Sequence, residues 1–124
     1  MLGLGPGDAH IIRNAGGRAA DALRSLMISQ AYLNTTEIAI IHHTDCGMLT
    51  INDTSARNTL IEQVGEENRA AVEAISFQPI TAGLEESVRA DMNWVKLNPL
   101  LSSNTVTGFV YNVSDGSLAQ VFSR

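Results

Sequence analysis

The run Ile38-Ala39-Ile40-Ile41 constrains the fold most. Four consecutive apolar residues, mostly β-branched, read as a strand over 37–43 that is covered on both faces. Such strands belong to parallel sheets flanked by helices. The run leads straight into His42, His43, Thr44, Asp45, Cys46 and Gly47, which hold two of the three histidines and the only cysteine. In open α/β sheets, ligands gather beyond the carboxyl ends of strands. The chemistry-bearing residues therefore stand where a site is expected.

The flanking segments complete the pattern. Residues 9–13 are short and apolar with paired isoleucines, and read as an earlier strand broken by Asn14-Ala15-Gly16-Gly17. Ala19, Leu23, Leu26, Met27 and Ala31 recur at helical spacing, so 19–33 reads as a helix. Strand, helix and strand in this order predict a βαβ unit with a right-handed crossover. Asp53 or Thr54 is placed to cap a helix that runs to Val64, with Gly65 at its end. A further helical piece is expected near 67–76.

Residues 83–97 show the clearest helix. Leu84, Val88, Met92 and Val95 form one stripe, Glu85 and Glu86 sit in the first turn, and Lys96 in the last, as the helix dipole favours. Pro99 bars continuation. Residues 105–113 alternate as a strand does, and Asp115-Gly116 is a hairpin signal that turns 118–122 back antiparallel. The fold class is α/β: a small, mainly parallel sheet flanked by helices, with a C-terminal antiparallel hairpin. One domain is expected over 1–124.

Composition narrows the function classes. The formal net charge of −5 argues against nucleic acid and anionic membrane surfaces as partners. No apolar run reaches the length of a membrane span, and no basic-then-apolar leader is visible. A single cysteine excludes an internal disulfide and points to a reducing, cytoplasmic setting.

His43 and Cys46 lie three residues apart, so both reach one cation if the chain turns between them. Imidazole plus thiolate suits zinc. A buried, inert thiol at a strand end is the other reading. Asp45 and His42 are possible extra donors, although strand alternation turns His42 away from His43. His10 reads as a packing or surface residue. Two chains pooling His43 and Cys46 into a closed four-ligand site is a further arrangement. Redox sensing through Cys46 is disfavoured by the carboxylate of Asp45 beside it. Arg13-Asn14-Ala15-Gly16 lacks the lysine and glycine spacing of a phosphate loop. No Ser, His and Asp set suggests a hydrolase.

The segments "GDAHIIRNAGG", "RSLMISQAYL", "EIAIIHHTDCGM", "FQPITAGLEESVRADMNWVKLNPLL" and "VTGFVYNVSDGSLAQV" carry a resemblance. In this order they resemble the β-class carbonic anhydrases of the short microbial and fungal type. The resemblance implies a zinc lyase that converts carbon dioxide and water to bicarbonate and a proton. Zinc lowers the pKa of its bound water, and the hydroxide attacks carbon dioxide in a small apolar pocket. His43 and Cys46 match the family's histidine and second cysteine that bind the metal. The resemblance implies that Asn14, Ala15 and Gly16 present backbone N–H groups beside the substrate pocket, a tight turn that needs glycine being the other reading. Gly47 is a further candidate of the pocket. Met48 and Leu49 are candidate apolar walls, ordinary core being the other reading.

The resemblance also marks a departure. The family carries its first zinc cysteine, with an Asp–Arg pair, on a strand upstream of the segment that opens this chain. The fold expected here is thus N-terminally shortened, and catalysis is expected to be weak or lost, with no catalytic residue assigned. That strand lies between those matching 9–13 and 37–43. Three closures follow: the two strands pair directly, a neighbouring chain fills the gap, or 2–7 are recruited.

The family implies a homodimer or higher oligomer formed through the sheet and first helices, with Leu26, Met27 and Tyr32 as candidate contacts. The alternative function is a catalytically dead interaction protein that associates with itself or with a full-length relative. Trp94 reads as core margin or interface anchor. Glu85, Glu86, Arg89 and Asp91 read as a solvated face.

Overall fold

The computed structural model describes residues 3–102 and 105–123. Strand β1 (Glu37–His43) pairs in parallel with β2 (Thr105–Tyr111), from Glu37 opposite Thr105 to His43 opposite Tyr111. Strand β2 pairs antiparallel with β3 (Leu118–Val121). The hairpin between them is tied by Asn112 N–H to Ser117 O at 2.9 Å and Gly116 N–H to Asn112 O at 2.8 Å. Asp115 accepts from the Ser117 N–H at 2.8 Å, within the hairpin that the Asp-Gly pair signals. Sheet order is β1-β2-β3, which leaves β1 at an edge.

Helix α1 (Leu23–Tyr32) precedes β1, after a 3-10 turn at Ala20–Ala22. The crossover from β1 to β2 holds α2 (Asp53–Val64), α3 (Arg69–Glu73) and α4 (Leu84–Leu97). Asn52, one residue before the expected positions, caps α2. Its side chain accepts from the Ser55 N–H while the Ser55 hydroxyl accepts from the Asn52 N–H. Gly65 closes α2 as expected, at φ 98.

Helix α4 covers one face of the sheet. Val88, Met92 and Val95 are buried against Ile40, Val106 and Val121. Each such side chain contributes about 1.5–3 kcal/mol on burial. Gly108 permits this close approach: a Cβ there would overlap Met92 Sδ and Val88 Cγ1. The half-buried Trp94, Leu26 and Met27 also pack on this core. Trp94 is therefore core margin, and Leu26 and Met27 face inward within this chain. Tyr32 is 76% exposed.

The expected strand at 9–13 does not form. Among the described residues none pairs with it, and a strand is defined by its ladder, not by its side chains. Ile11 is consequently 74% exposed. The βαβ unit expected from 9–13, 19–33 and 37–43 is therefore absent, and the parallel partner of β1 is β2. Leu2 of the expected 2–7 lies outside the described residues; among the described residues, 3–7 do not join the sheet, and the Asp8 N–H closes a turn on Gly5 O at 3.1 Å.

The Thr44 N–H donates to Tyr111 O at 2.9 Å, continuing the parallel ladder by one residue. Backbone groups alternate along a strand, so those of 38, 40 and 42 face β2 and those of 37, 39, 41 and 43 face the edge that no strand of the described residues pairs, where Gly17 lies against Ile41 O.

Candidate functional site

Beyond His43 the chain leaves the sheet in a tight, well-tied turn. The Thr44 hydroxyl accepts from the Val113 N–H at 3.0 Å. Asp45 adopts φ 55, a left-handed conformation that Asp tolerates better than most residues. Cys46 then opens a 3-10 turn at Gly47–Leu49, with the Leu49 N–H on Cys46 O and the Thr50 N–H on Gly47 O, both at 3.0 Å. The turn expected between His43 and Cys46 is present.

Alternation along β1 separates the two histidines as expected. His43 is exposed and His42 is 1% exposed. His43 Nδ1 lies 2.7 Å from Thr44 O. That oxygen can only accept, so Nδ1 carries a hydrogen and Nε2 is the nitrogen left to face a cation. A second-nitrogen bond of this kind is typical of metal-binding imidazoles. Cys46 is a free, buried thiol.

Imidazole and thiol suit zinc in kind, but zinc sites take three or four protein ligands. Among the described residues, no group of three or more His, Cys, Asp and Glu is placed to hold an ion. His42 faces the other way, and Asp45 and His10 are exposed. The donors of this chain therefore do not make a complete zinc site.

The matched pocket residues divide. Gly16 is buried against Met48, since a Cβ on it would sit 3.1 Å from Met48 Cγ. The 3-10 turn Ala15–Gly17 thus packs on the turn that follows Cys46. Asn14 is occupied locally: it donates to Arg18 O at 3.0 Å and accepts from the Arg18 N–H at 2.8 Å. Ala15, Gly47 and Leu49 are exposed. An open cleft of about 800 Å³ lies elsewhere, between the start of α2 and residues 76–81, with Arg18, Asn52, Asp53 and Gln78 among its walls. His43 and Cys46 do not line it.

A buried polar cluster lies behind the turn. His42 Nδ1 lies 2.7 Å from Ser87 Oγ, and its Nε2 lies 3.1 Å from Gly17 O and 3.2 Å from Asp91 Oδ2. Asp91 also accepts from Arg18 Nε and Nη2 at 3.0 and 2.9 Å, and from the Ala19 N–H at 3.0 Å. Arg18 Nη1 donates to Gln78 O and Pro79 O at 3.1 and 3.0 Å. Burial pushes the Asp91 carboxyl up, but the hydrogen bonds from His42, Arg18 and Ala19 outweigh it and hold the group below 3.8.

The expected solvated face on α4 is therefore wrong for two residues. Asp91 is 3% exposed, and Arg89, 8% exposed, donates to Phe122 O and pairs with Glu85 and Glu86. The sequence held a signal for Asp91. It falls three residues after Val88 and four before Val95, on the apolar stripe itself. A charge there needs a partner.

The sequence matches the carbonic anhydrase family over residues 1–118. It is 38% identical over 123 residues to beta-carbonic anhydrase 1 of Mycobacterium tuberculosis, covering 98% of this chain and 72% of that protein. It is 29% identical over 131 residues to a carbon disulfide hydrolase of Acidithiobacillus thiooxidans, covering 90% of this chain and 63% of that protein. The carbonic anhydrase from Glaciozyma antarctica superposes with a TM-score of 0.90 at 42% identity, over 98% of this chain and 72% of that chain. That from Streptococcus mutans gives 0.84 at 40% identity, over 98% and 71%. Sequence and fold agree, and the chain belongs to the β-carbonic anhydrase family.

Proposed function

We propose that this chain belongs to a zinc-dependent carbonate dehydratase acting on carbon dioxide and bicarbonate in the cytoplasm. His43 and Cys46 supply two donors, and the activity of residues 1–124 by themselves is weak or absent. The observation that supports this most is the turn at Asp45, which follows an imidazole anchored through Nδ1 and leads within one residue to a thiol. Carbon disulfide, the substrate in the name of several relatives, is linear and triatomic like carbon dioxide, so it belongs in the same assay.

The test is metal analysis of zinc-supplemented protein, with carbon dioxide hydration followed by stopped-flow indicator and carbon disulfide hydrolysis by sulfide release. The expected result is zinc retention and a small rate above buffer, both lost in Cys46→Ser. A folded protein that takes up no zinc and turns over neither substrate overturns the reading.

A second reading rests on the open edge of β1: a catalytically dead family member that dimerises or joins a full-length relative by adding strand to strand. Native mass spectrometry of the chain alone and mixed with such a relative separates the two. Monomers throughout would end the second reading.

A further inference from the structure

Asp115-Gly116 is the only Asp-Gly pair in the chain, and no Asn-Gly pair accompanies it. Both residues are exposed at the tip of the β2–β3 hairpin. Glycine has no side chain to shield its own nitrogen, so this pair is prone to ring closure within the backbone. In that reaction the Gly116 nitrogen attacks Cγ of the protonated Asp115 carboxyl. Its N–H proton and the carboxyl hydroxyl leave together as water. The five-membered imide then takes back a water at either carbonyl. One outcome restores aspartate. The other routes the backbone through Asp115 Cγ as isoaspartate, with no net change in mass and no co-reactant other than water.

The closed hairpin holds both reacting groups back. The Gly116 N–H donates to Asn112 O at 2.8 Å. Asp115 Oδ1 accepts from the Ser117 N–H at 2.8 Å, and hydrogen bonds from the Ser117 side chain and N–H hold its carboxyl below the ordinary value. Ring closure has to break these contacts and protonate the carboxylate. The Asn112 N–H closes the hairpin on Ser117 O at 2.9 Å, and the Val113 N–H ties it to the Thr44 hydroxyl at 3.0 Å. We propose that Asp115-Gly116 is a latent isomerisation site gated by this hairpin: shut, it stays aspartate, and isoaspartate forms only from the opened state. The product carries an extra backbone carbon in the link between β2 and β3, close to the pair of Tyr111 with Leu118. A slow, mass-silent change thus reaches the hairpin that anchors Thr44 at the end of β1.

The test incubates the protein at neutral pH, folded and in urea, and follows isoaspartate by methyltransferase labelling with peptide mapping. The folded chain is expected to convert about tenfold or more slowly than the unfolded one. Thr44→Val removes the hydroxyl that holds Val113, and Val121→Ala loosens the buried end of β3. In each, isoaspartate formation should rise in proportion to deuterium exchange at the Gly116 amide. Asp115→Glu should abolish the product. Equal rates in the folded and unfolded chain overturn the proposal. So does a variant that quickens Gly116 exchange but not isomerisation, or a product that persists in Asp115→Glu. If Val121→Ala does not fold, Thr44→Val takes its place, and the urea comparison needs no variant.

Discussion

Arg18 and Asp91, 73 residues apart in sequence, meet through two guanidinium nitrogens, with Nη2 2.9 Å from Oδ1 and side chains 15% and 5% exposed. Breaking a buried pair strands a charge, which costs about 3–5 kcal/mol. Asp91→Asn is expected to lose stability of that order at pH 7. The pH dependence has a definite sign. Asp91 titrates lower in the folded chain than in the unfolded one, so its contribution is fully present above the unfolded value and fades as pH falls through the folded one. The gap between wild type and Asp91→Asn in urea denaturation should therefore narrow from pH 7 toward pH 3. A constant gap would contradict the assignment.

Gly108 is where α4 lies against the sheet. Gly108→Ala forces a methyl onto Met92 and Val88 and is expected to cost about 1–3 kcal/mol. The thioether end of Met92 can yield, so Gly108→Ala combined with Met92→Ala should lose less than the sum of the two single variants. Denaturation of the four proteins completes the cycle.

Asp45 bears the turn between the two donors at φ 55. A β-branched side chain is poorly accommodated there. Asp45→Val is expected to lose about 1–2 kcal/mol, whereas Asp45→Gly and Asp45→Asn stay within about 1 kcal/mol of wild type. Thermal melts rank the three directly.

At the start of α2, Asn52 and Ser55 cap each other. Asn52→Ala removes one side of this exchange and should cost about 1 kcal/mol. The loss should be visible as faster amide exchange at Ser55, whose N–H donates to Asn52 Oδ1 at 2.8 Å.

Much of the architecture was legible because local periodicity decided it. The α4 stripe, the Gly65 stop and the Asp115-Gly116 hairpin each follow from neighbours within a few residues. The opposite orientations of His42 and His43 follow from alternation alone. Residues 9–13 were misread for a complementary reason. Ile11 and Ile12 look like a strand locally, but a strand exists only through a partner, and sequence pattern does not supply one. Asp91 and Arg89 were misplaced because charge was weighed before position on the helix. The chemistry behind His43 was hidden for the same reason, since Arg18 and Asp91 meet only in the folded chain.

A strand laddered along one side only carries two clocks. In β1 the amides of Ile38, Ile40 and His42 are bonded to β2, while those of Ala39 and Ile41 look outward. Deuterium from the solvent should enter the outward set early and the inward set late, writing the strand's odd–even parity into a mass or NMR spectrum. Whatever molecule came to lie along that rim would announce itself by slowing the odd-numbered amides and leaving the even ones as they were.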